Sequence, residues 1–140
     1  MNFNRVIVLL ILLSISFFGY SQTYYTNYLK IIKGSETTSQ SVADDVVKVD
    51  EKINKITISN PDPKYQTFIF KIKKKEPALT ENDEGKIVES KEETIYTCEL
   101  VNNNGTVIFD IFINTFYQTI ILQGKYDPVY SKWNYSKAVE

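Results

Sequence analysis

From Lys55 to Gln123 the chain repeatedly sets apolar side chains at every second position, the pattern of strands with one face in a core. Lys55–Ser59 (KITIS) places Ile56 and Ile58 on one face, and Tyr65–Lys73 (YQTFIFKIK) does the same with Phe68, Phe70 and Ile72. Between them Asn60-Pro61-Asp62-Pro63 is a strong breaker, because each proline forces its predecessor out of the helical region. Thr94–Val101 and Thr106–Ile113 flank Asn102-Asn103-Asn104-Gly105, and Asn-Gly is the strongest short hairpin signal. Asn114-Thr115 then joins Ile113 to a third strand running from Phe116 to Gln123.

If these three strands form a meander, their faces follow from the two-residue period. One face carries Tyr96, Cys98, Leu100, Val107, Phe109, Ile111, Ile113, Phe116, Ile120 and Leu122, and this is predicted core. The other carries Ile95, Thr97, Glu99, Ile108, Asp110, Phe112, Tyr117, Thr119 and Ile121. That second face is mixed, too apolar for a fully solvated surface yet broken by charge, which is unusual for a one-sided sheet.

The flanks are less regular. Gln22–Lys33 suits either a strand or a helix, since Tyr24/Tyr25, Tyr28/Leu29 and Ile32 recur at helical spacing among aromatic and β-branched residues. Gly34–Ser41 reads as a polar loop, Asp45–Val49 as a short strand, and Asp50–Asn54 as its turn. The carboxylate-rich segment Glu76–Glu93 reads as a solvated loop or a long hairpin tip. After a turn at Asp127-Pro128, a last strand places Val129, Trp133 and Tyr135 on one face and Tyr130 on the other. About seven or eight short strands with regular turn signals predict an all-β fold: a single small antiparallel meander closing into a barrel, half-barrel or sandwich. On strand count alone, such a chain resembles lipocalin-like or other calycin-type barrels in shape.

The N-terminus breaks the pattern. Asn2–Arg5 carries the one arginine, Val6–Phe18 is an apolar run interrupted by two serines, and Gly19-Tyr20-Ser21 sets small residues at its ends. These are the parts of a secretory signal peptide over residues 1–21, cut before Gln22, leaving a single mature β domain over 22–140. The run falls short of the about 20 apolar residues a membrane span needs, and no cysteine near the cut offers a lipid attachment site. The expectation is an exported protein, periplasmic or extracellular, with no stable membrane anchor.

Composition narrows the chemistry. Cys98 is the sole cysteine, so no internal disulfide forms and the fold rests on its core. The preference for lysine over arginine, with abundant Ile, Asn and Tyr, follows AT-rich codons and points to a bacterial source. Beyond residue 21 there are fifteen lysines against seventeen carboxylates and no arginine, so attraction to nucleic acid is not expected. With no histidine, the commonest general base and metal ligand are missing. The five glycines are too scattered for a phosphate loop, and no nucleophile elbow occurs. Thr80–Lys91 has Gly85 where a calcium loop turns, but lacks the first and last carboxylates of one. No cofactor and no metal are expected, and Cys98 is expected to be buried and inert.

Two candidates remain. Glu99 and Asp110 face each other directly if Asn104-Gly105 forms a two-residue turn, and sit diagonally on one face if the loop has four residues. Facing each other, they would serve as the acid/base pair of a carboxylate-dependent hydrolase or as a hard-cation site; set apart by the longer loop, both simply point to water, which is the preferred reading. The leading expectation is non-enzymatic: a binding or interaction module contacting a protein, or a small apolar or saccharide ligand, through Phe112, Tyr117, Ile121 and Tyr130.

Overall fold

The computed structural model describes residues 21–101 and 106–140. Its strands are β1 (Ser21–Lys33), β2 (Glu36–Val42), β3 (Val46–Asp50), β4 (Lys55–Ser59), β5 (Phe68–Glu81), β6 (Ile87–Leu100), β7 (Val107–Asn114), β8 (Thr119–Gly124) and β9 (Val129–Val139). All nine belong to one antiparallel sheet in the order β2-β1-β3-β4-β5-β6-β7-β8-β9, closed by a β1–β9 pairing. Eight strands thus form an up-and-down barrel, and β2 is an addition to it.

β1 makes the closure possible. One of its edges bonds β9 from Thr23↔Val139 to Lys33↔Val129. Its other edge bonds β3 through Ser21–Tyr25 and β2 through Tyr28–Lys33, so β2 and β3 lie end to end along it. Register shifts between Tyr25 and Tyr28 bend the strand and exchange its faces. Tyr24 is buried before the shifts and Thr26 between them, and Leu29 packs on the core after both. A strand that changes face this way leaves apolar residues at the three- and four-residue spacings of a helix, which is why the segment was ambiguous.

The predicted polar loop at Gly34–Ser41 is corrected: Gly34 (φ 63°) turns the chain into strand β2. Its side chains are solvent-exposed, and pairing with β1 holds it through the backbone, so no apolar face marks it in the sequence. The predicted start of the third meander strand at Phe116 is likewise corrected. Asn114 Oδ1 accepts from the Phe116 and Tyr117 amides at 3.0 and 2.8 Å, Gln118 adopts a φ of 53°, and the strand begins at Thr119. Phe116 is therefore 71% exposed rather than core. Glu76–Glu93 is mostly hairpin, with β5 and β6 extending to a tip where Asn82 Oδ1 accepts from the Glu84 and Lys86 amides.

The interior takes one face of each barrel strand. Val47, Val49, Ile56, Phe70, Cys98, Ile111 and Ile120 are essentially inaccessible to water. Tyrosines fill one end, here the base: Tyr24 and Tyr135 pack edge to face at 4.9 Å, and the Tyr96 hydroxyl donates to Glu51 Oε1 at 2.9 Å. Lys75 Nζ lies 2.7 Å from the same oxygen. Rings with buried bodies fill much of this end, where Tyr24 and Tyr96 border a smaller cavity of about 220 Å3, and no buried side-chain polar atom among the described residues lacks a partner. The opposite end, the mouth, is bordered by the β2–β3 corner, the β4–β5 loop and the β8–β9 turn.

Candidate functional site

At the mouth the chain builds a cavity from the corner inward. The chain leaves β2 and enters β3 through Ala43-Asp44-Asp45, opposite the irregular part of β1. The corner is pinned there: the Ala43 amide donates to Asn27 O at 3.2 Å, and the Thr26 amide and hydroxyl both donate to Asp45 O, at 3.1 and 2.7 Å. The backbone so fixed points the Asp45 carboxylate across the barrel. Its Oδ2 accepts from Trp133 Nε1 at 2.9 Å, and its Oδ1 accepts from Asn60 Nδ2 at 3.0 Å. One side chain thus ties the β2–β3 corner to β9 and to the β4–β5 loop.

That loop forms the facing wall. Asn60 Oδ1 accepts from the Asp62 amide, and Asp62 Oδ1 from the Lys64 amide, so successive side-chain turns fold the Asn-Pro-Asp-Pro segment back over the mouth. Between loop and corner lies a cavity of about 780 Å3. Leu29, Ile58, Leu122 and Trp133 line its inner part, and Tyr65 and Phe68 its side. Asp44, Asp45, Asn60 and Asp62 supply the polar groups. A few convergent polar groups over an apolar lining, in a space of this size, match the general character of small-molecule sites.

The residues singled out in the sequence lie elsewhere. Phe112 and Ile121 are direct cross-strand partners on the outer wall, half-buried, in a row with Ile95. Tyr130, also half-buried, pairs with Gln123 and Ile32 nearer the mouth. Tyr117 is 72% exposed in the β7–β8 turn at the base, its ring 5.0 Å from that of Phe116. It borders a separate groove of about 380 Å3 with Ala78, Leu79 and Glu92. The structure therefore joins Phe112 to Ile121 and leaves Tyr117 and Tyr130 apart.

Glu99 pairs across the hairpin with Ile108, and Asp110 with Thr97, which is the diagonal arrangement on one face. The Asn104-Gly105 turn that would decide this register locally lies outside the described residues. Each carboxylate has its own partner: Lys73 Nζ lies 3.5 Å from Glu99 Oε2, and the Thr97 hydroxyl donates to Asp110 Oδ1 at 3.1 Å. Both are on the outer wall. Cys98, next to Glu99 in sequence, points inward and is buried, and burial pushes its thiol up to about 12, with the Asp110 charge adding to the effect. Among the described residues no group of three or more potential metal ligands converges.

Asp45, Asn60 and Trp133 carry no joint signal along the chain. Asp45 and Trp133 are 88 positions apart, so no local spacing links them. The single tryptophan and the Asn-Pro-Asp-Pro loop were visible individually, but nothing in sequence says that they meet. Comparison with protein-family models, with curated proteins and with solved structures gives no match to this chain.

Proposed function

We propose that this chain is an exported, non-enzymatic binding module whose barrel takes one small, largely apolar molecule at its mouth. The observation that carries the reading is the cavity of about 780 Å3 over Leu29, Ile58, Leu122 and Trp133, at one end of a barrel whose other end is packed with tyrosines. Eight-stranded barrels of lipocalin-like shape have an interior wide enough for side chains or for one small ligand. Here the two uses divide the barrel lengthwise. The signal-peptide pattern over residues 1–21 supports export, although those residues lie, apart from Ser21, outside the described part of the structure. The absence of histidine and the separate partners of Glu99 and Asp110 favour binding over the hydrolase alternative.

The test uses N-phenyl-1-naphthylamine, a neutral apolar probe that brightens on leaving water. Saturable binding of one probe per chain is expected, with Trp133 emission changing in parallel because that ring lines the cavity. Ser131→Phe, which places a ring in the cavity from β9, should abolish binding in a protein that still unfolds cooperatively. No saturable binding, or equal binding by the filled variant, would overturn the reading.

A further inference from the structure

We infer that the ligand of the mouth cavity carries a cationic nitrogen on its apolar body; this rests on the cavity being the binding site. The inference comes from the one-sidedness of the lining. Asp44, Asp45 and Asp62 all contribute to it, and no lysine does, in a chain with fifteen of them. An anion entering would meet three carboxylates, of which only Asp62 has a lysine, Lys64, beside it at the rim. A neutral apolar molecule would leave those acceptors without new partners. An ammonium head satisfies both the charge and the acceptors.

Asp45 is placed for this role. An ionised carboxylate offers about four lone-pair positions, and the bonds from Trp133 and Asn60 occupy one on each oxygen. Acceptor capacity therefore remains on a half-buried group braced by its neighbours, beside the apolar side chains of Ile58 and Leu122. The rim already holds one ammonium by the same chemistry. Lys64 Nζ sits 3.7 Å from Asp62 Oδ2 and 5.0 Å from the centroid of the Tyr65 ring, and its side chain is 68% exposed. Carboxylate and aromatic face together are what a cation with an organic body requires. Trp133 is 5% exposed and bound through its Nε1, so its ring face is not offered for stacking, which argues against a sugar.

The experiment measures displacement of N-phenyl-1-naphthylamine by hexylammonium, hexanol, hexanoate and glucose at low salt. Hexylammonium should displace the probe at a concentration about tenfold below hexanol, with hexanoate weakest, as expected for a charge in a partly dehydrated site. Asp45→Asn should bring hexylammonium and hexanol together. Because Asp45 also braces the corner, Asp44→Asn, at an exposed position, serves as a second variant and should narrow the same gap. Equal displacement by the three hexyl compounds, preference for hexanoate or glucose, or displacement by none of them would overturn the cationic ligand while probe binding stands. Absence of probe binding itself would instead overturn the underlying function.

Discussion

The sharpest physical consequence of the fold concerns Cys98. Its thiol faces the interior beside Ile72 and Phe109, its cross-strand partners, and is fully buried. Desolvation, with the Asp110 charge second, raises its pKa from 9.0 to about 12. Thiol reagents attack through the thiolate. A shift of about three units leaves roughly a thousandfold less thiolate near neutral pH, before any steric shielding. Labelling with a small disulfide reagent should therefore be at least about a thousandfold slower in the folded protein than in urea. The same shift has a thermodynamic side. Below about pH 9 both folded and unfolded thiols are protonated, and the contribution to stability is constant. Between about 9 and about 12 the unfolded chain releases its proton and the folded one does not, so stability falls as pH rises. The slope approaches about 1.4 kcal/mol per unit. Cys98→Ala loses packing at every pH but lacks this titration, so urea midpoints of parent and variant should converge between about pH 9 and 11. Equal labelling rates in the two states, or a stability gap that does not change over that range, would refute the argument.

Other expectations follow from single contacts. Asn114→Ala removes the acceptor of the Phe116 and Tyr117 amides and the donor to Glu93, and should lower stability by about 1–2 kcal/mol in urea unfolding. Asp110→Asn keeps an oxygen for the Thr97 hydroxyl on the outer wall, so its effect should stay below about 1 kcal/mol; a larger loss would show a role that the pairing does not convey. Intact mass of exported protein should correspond to a chain starting at Gln22, and recovery of the uncut chain from membranes would exclude cleavage.

Amino-acid order by itself determined the all-β class and most of the strands. Alternation is enough wherever a strand keeps one face in the core, as in β4, the start of β5, and β6 through β8, and there Ile56, Phe70, Tyr96, Cys98, Ile111, Ile113 and Ile120 are buried as predicted. The period fails for identifiable reasons. In β1 the register shifts near Thr26 exchange faces midway, and in β2 there is no apolar face because only the backbone is engaged. At Phe116 the Asn114 side chain captures two amides and turns the chain before the pattern resumes. The mouth belongs to tertiary structure altogether. Asp45 acquires its place because β2 and β3 share one edge of β1, and it meets Trp133 because β9 closes the barrel on the other edge. Closure is a property of the whole sheet, set by how far eight tilted strands stagger around the axis, and no window of sequence contains it.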